Sequence, residues 1–137
     1  MPAPVDVEAI VASFLRAQPE VTAIVEQRVY TDLPNASDRT YPLVLLTRTS
    51  SAFTAHGWIE TVALRIDAWG TNHGQARTLA SAVVDTMLSR LARRYPEGAV
   101  TLARAGSLAY EPDDDSADQA GHARPRYVAL VNVTAHP

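Results

Sequence analysis

Between Ile59 and Trp69 the chain alternates with period two: Val62, Leu64, Ile66 and Ala68 fall on one side, and Thr61, Ala63, Arg65, Asp67 and Trp69 on the other. Extended backbone sends successive side chains to opposite faces, so this segment is a strand with a core face and an outer face. Its neighbours keep a different period. Val7, Ile10, Val11, Phe14 and Leu15 fall at i, i+3, i+4, i+7 and i+8, the stripe of a helix, with Asp6 placed to cap it and Glu8 favourable in its first turn. After the strand, Gly70-Thr-Asn-His73 breaks the pattern and Thr71 or Asn72 caps a second long helix, buried along Ala76, Leu79, Ala80, Val83, Met87, Leu88 and Leu91. Arg90, Arg93 and Arg94 are read as its last turns, where cations complement the helix dipole, and Pro96 with Gly98 ends it.

The remaining segments complete the layout. Glu20 to Glu26 forms a short helical turn, and Arg28-Val-Tyr30 a short extended piece. Leu43 to Thr49 is a mostly apolar strand that pairs as a hairpin with Ile59 to Trp69, and its connection, Ser50 to Gly57, exceeds what a tight turn needs, so an extended arm is expected there. Ala99 to Tyr110, interrupted by Gly106, and Arg126 to Thr134 are strands flanking an acidic loop, Glu111 to Asp118. Helix, strand, strand, helix, strand, strand without βαβ alternation predicts an α+β fold: an antiparallel or mixed sheet of about four main strands, with two principal helices packed on one face. The 137 residues read as a single domain, 1–137, long enough to bury its own core.

Composition excludes several functions. The chain has no cysteine, which removes disulfides, thiolate nucleophiles and cysteine-ligated zinc. All 12 basic residues are arginine, and the net charge of −3 is opposite to that of a surface built to hold nucleic acid. No signal segment or membrane-length apolar run is visible, so a soluble intracellular protein is expected.

Candidate chemistry fails on spacing. Asp113, Asp114, Asp115 and Asp118 suggest calcium, but from Asp113 an EF-hand would need glycine at Asp118 and a carboxylate at Arg124. His56, His73, His122 and His136 show no metal-ligand pairing and are read as loop residues. Gly106-Ser107 has Ala109 where a nucleophile elbow has its second glycine. Gly70 to Gly74 joins a strand to a helix N-terminus but lacks a phosphate-binding pattern, and the chain has no lysine. No set of acid, base and nucleophile converges, so no enzyme, catalytic residue, metal or cofactor is expected.

Contacts with other proteins are the better use of what remains. Arg65, Asp67 and Trp69 share the outer strand face, and Trp58 and Phe53 flank the hairpin connection, where large aromatics and arginine favour interfaces. Several turn and strand positions carry a family pattern: Arg28-Val29-Tyr30, Leu33-Pro34, Tyr41-Pro42, Asp67-Ala68-Trp69 closing a strand, and Arg126-Tyr127 opening the last one. With the run Pro19 to Pro34, these make the chain resemble the tail-completion or tail-terminator proteins of long-tailed phages of the siphovirus type.

That resemblance implies a virion structural protein at the tail-neck junction, assembled in the host cytoplasm. It implies a homo-oligomeric ring, commonly a hexamer, that caps the tail tube, stops its polymerisation and offers the head-tail connector or neck protein a docking surface. DNA would pass through its channel without specific binding, and no membrane is involved. On that reading Trp58, Arg65, Asp67 and Trp69 are expected at the subunit interface. Ser50, Ser51, Phe53, Thr54 and His56 form an arm that reaches the tube or a neighbour. Asp113, Asp114, Asp115 and Asp118 border the channel, because carboxylates there repel the phosphates of passing DNA. The alternatives are a head-tail joining protein of the neck and, from a different class, a small-molecule-binding regulatory domain.

Overall fold

The computed structural model describes residues 5–53, 58–116 and 121–137. Helix α1 spans Val7–Arg16 and helix α2 spans Pro19–Val25; strand β1, Val29–Tyr30, follows them. Strands β2, Leu43–Phe53, and β3, Glu60–Trp69, precede helix α3, His73–Arg90. Strands β4, Arg93–Tyr95, β5, Gly98–Tyr110, and β6, Arg126–His136, complete one six-stranded sheet in the order β1-β2-β3-β6-β5-β4. Among the described strands only β1 and β2 pair in parallel.

Local chemistry explains the elements. Asp6 Oδ1 accepts from the Ala9 N–H at 3.0 Å to start α1, and Asn72 Oδ1 accepts from the Gln75 N–H at 2.8 Å to start α3, satisfying donors that a helix end leaves unpaired. Pro19 takes the first helical position of α2. The core face of the sheet carries Val44, Leu46, Val62, Leu64, Val131 and Val133, which pack in one cluster with the apolar stripes of all three helices. At the end of β3 the backbone runs close beneath α3: a Cβ on Gly70 would stand 2.4 Å from the Ala76 nitrogen.

The α+β class and the helices on one face match the expectation, and the counts need correcting. The sheet has six strands and the described residues contain three helices, because β1, β4 and α2 are elements in their own right. Arg93 and Arg94 do not extend α3. The helix ends at Arg90, and Arg94 and Arg93 pair with Ala99 and Val100 in a hairpin. Tyr95 precedes a proline, which disfavours helical backbone, and its hydroxyl donates to the Leu91 carbonyl at 2.6 Å. Leu88, expected in the buried stripe, is exposed. His73 is the first residue of α3 rather than a loop residue, and its Nε2 lies 2.9 Å from the Tyr127 hydroxyl.

The arm also needs correcting where it is described. Ser50, Ser51 and Phe53 are strand, paired with Ala63, Val62 and Glu60 beyond a bulge at Thr49. Small polar residues suit this stretch because it is exposed, and pairing with a strongly patterned partner extends the strand. Thr54 and His56 lie outside the described residues, as does Asp118.

Candidate assembly surfaces

Among the described residues no α-helix packs on the outer face of the sheet, yet one end of it is closed. Trp69 is only 3% exposed, because the segments before β2 and after β5 fold over it. Tyr41 meets its ring edge-on at 6.5 Å, and the Trp69 indole N–H donates to Asp113 Oδ2 at 2.9 Å. A buried indole needs such an acceptor, and a buried carboxylate needs donors and cations. Arg126 supplies charge to both acids, with its guanidinium 3.7 Å from Asp67 and 3.8 Å from Asp113, and it also lies over the Trp69 ring. Arg65 donates to Asp67 at 2.7 Å, and this hydrogen bond raises the Arg65 pKa above its ordinary value. Arg124 stacks over Tyr41 with its guanidinium carbon 3.8 Å from the ring centre.

These contacts revise the expected roles. Arg65, Asp67 and Trp69 do come together on one face, as period two requires, but Asp67 and Trp69 are buried inside the subunit rather than presented to a neighbour. Asp113 is buried as well, bridges to Arg124 through paired backbone hydrogen bonds, and so does not belong to a solvated acidic loop. Asp114 and Asp115 are exposed beside it. Nothing in the composition of Glu111 to Asp118 distinguishes the acid that turns inward; the indole 44 residues away does.

Phe53 and Trp58 stand at the opposite end of the sheet, 52% and 51% exposed. Other large apolar side chains exposed on the sheet are Leu102, Leu108 and Tyr110 on β5 and Leu130 on β6. Sequence reasoning did not single these out. The apolar positions of Ala99 to Tyr110 were the available signal, but bulges at Thr101 and Gly106 shift the alternation between faces and hide it. From Thr101 onward almost every residue of β5 is exposed, and so are most residues of β2 from Thr47 to Phe53. The described residues thus form a sheet with one end sealed, exposed apolar side chains and two edges paired over only part of their length, features that favour contact with another protein. Among the described residues no group of three or more acidic or histidine side chains could hold a metal ion, and no helix is long and apolar enough to cross a membrane.

Comparison with known proteins agrees with a part built for assembly. No curated protein matches the chain. Among solved structures, a chain from the virion of a native gene transfer agent particle has a similar fold, with a TM-score of 0.71 over 96% of this chain and 95% of that one at 17% identity. The family model described as "Tail completion protein gp17" matches residues 9–135, which takes in all three helices nearly whole and every strand but the last residue of β6. The chain belongs to that family of tail completion proteins, structural components of phage virions.

Proposed function

We propose that this protein is a tail terminator: six copies close into a ring on the last ring of tail-tube protein, stop further polymerisation and present the opposite surface to the head-tail connector or neck protein. The observation that carries the reading is the family match over residues 9–135. The fold supports it physically, because a subunit whose described strands leave much of both sheet edges uncovered, with exposed leucines, has surface that a closed ring protects. Phe53 and Trp58 are the side chains offered to the tube or to a neighbour. Asp114 and Asp115 border the channel, where like charge keeps DNA from binding while it passes.

The reading is tested by mixing the purified protein with tail tubes and imaging them by negative stain. Rings at one tube end, and tubes that no longer lengthen when tube protein is added, are expected. Tubes that keep growing, or rings that join heads without touching tubes, would replace the terminator with a neck joining protein.

A further inference from the structure

We propose that adjacent copies join head to tail by strand pairing, with residues 46–52 of β2 in one copy running antiparallel to residues 102–108 of β5 in the next. The inference rests on the ring reading above and specifies its contact. It starts from where the two edges of the sheet are covered. On one edge β1 pairs with β2 only at Val44 and Leu45, and on the other β4 pairs with β5 only from Gly98 to Val100. Among the described residues, no strand lies outside the rest of either edge.

The sheet registers show that the two uncovered stretches stand at the same level. Leu46 lies across from Ile66, which pairs with Ala129, which pairs with Leu108. Ser50 leads in the same way through Ala63 and Asn132 to Arg104, and Ala52 through Thr61 and Thr134 to Leu102. A second copy turned about an axis along the strands therefore brings residues 46–52 level with residues 102–108 of the first. The sense is also right. Each of the pairs β2 with β3, β3 with β6 and β6 with β5 is antiparallel, so β5 runs opposite to β2, and copies of one orientation meet in the antiparallel arrangement.

The short strands bound this contact. In the paired arrangement Arg93 of β4 comes level with Phe53 of the neighbour, and β1 of that neighbour comes level with Ala109 and Tyr110, so the joint is confined to residues 46–52 and 102–108, and Phe53, Ala109 and Tyr110 turn out of the edge where it forms. The bulges at Thr49 and Gly106 add twist to both edges, which a sheet continued around a ring requires. Exposed Leu102 and Leu108 flank the joint and gain cover from it.

The absence of cysteine permits a direct test. Within one copy Ser50 and Arg104 are three strand spacings apart, about 14 Å, beyond the roughly 7 Å that a disulfide spans. Between copies they face each other on the outer side. In the Ser50→Cys/Arg104→Cys variant, mild oxidation should convert most chains into a covalent ladder reaching the ring size seen by native mass spectrometry, while each single variant stays uncoupled. Thr47→Cys/Ser107→Cys, which share the row through Arg65 and Leu130, repeats the test if the first pair does not fold, as checked by circular dichroism. Oligomers without either disulfide would overturn the strand pairing and leave the ring. Cross-linked dimers from Arg104→Cys alone would replace it with a two-fold β5 joint, and a protein that stays monomeric alone and on tail tubes would sink both.

Discussion

At the level of single residues, Trp69 shows how a side chain suited to an interface becomes a core residue. Its indole N–H is satisfied by Asp113 and its ring is covered by Tyr41, all from segments that fold back over the end of β3. Trp69→Ala should therefore lower the unfolding free energy by about 3–5 kcal/mol, the usual cost of emptying a large aromatic site. Denaturant unfolding followed by circular dichroism measures this, and an unchanged midpoint would return Trp69 to the interface. Arg90 provides a second case. It holds Glu20 through two hydrogen bonds of 3.1 Å and Gln18 through one of 2.9 Å, so it ties α3 to α2 as well as complementing the dipole at its own helix end. The hydrogen bond from Arg90 lowers the Glu20 pKa from its ordinary 4.5. A carboxylate depressed in this way stabilises the fold above pH 4.5 and loses that contribution as pH falls through the lowered value. Melting temperatures of Glu20→Gln and the parent should differ at pH 6 and converge in strong acid, by a small amount because both side chains are solvated.

Among the elements, the turn after α2 carries strain. Glu26 has φ 57° and ψ −117°, at a place where a chain reversal favours glycine, and the Arg28 N–H closes the turn onto the Val25 carbonyl at 3.0 Å. Glu26→Gly should stabilise the protein by roughly 1 kcal/mol, since the relief of backbone strain exceeds the loss of an exposed ion pair with Arg28. A lower melting temperature for the variant would show that the pair outweighs the strain. The sheet divides similarly into protected and unprotected parts. β3 and β6 are central and pair along ten residues, whereas among the described residues β2 and β5 are covered only at opposite ends by two short strands. Long edges of this kind invite pairing with another chain, which is why their lengths and levels matter for assembly.

For the whole molecule, the acidic loop separates into two functions. Asp113 belongs to the fold, and Asp114 and Asp115 belong to the surface. Asp114→Asn with Asp115→Asn should leave the melting temperature of the subunit within about a degree or two, because exposed carboxylates contribute little to stability. If these residues border the channel, particles carrying the pair should release DNA more slowly, and an ejection rate equal to the parent's would place them elsewhere. Asp113→Asn makes the contrast, since it weakens the acceptor of a buried indole and should destabilise the fold by about 1–3 kcal/mol.

Much of this architecture follows from periodicity. The apolar stripes and the Asp6 and Asn72 caps identify α1 and α3, and period two assigns the two faces of β3, because helical and extended backbone impose these spacings locally. The family pattern is legible for the same reason, being made of turn prolines and strand ends. What sequence could not convey depends on distant partners. The alternation places Trp69 on the outer face but does not say that Asp113 and Tyr41 will cover it. Three charged residues near a helix end read as helix until pairing with Ala99 and Val100 makes two of them a strand. The level at which β1 and β4 leave the sheet edges open is a sum of registers across four strands, and no local property of β2 or β5 contains it.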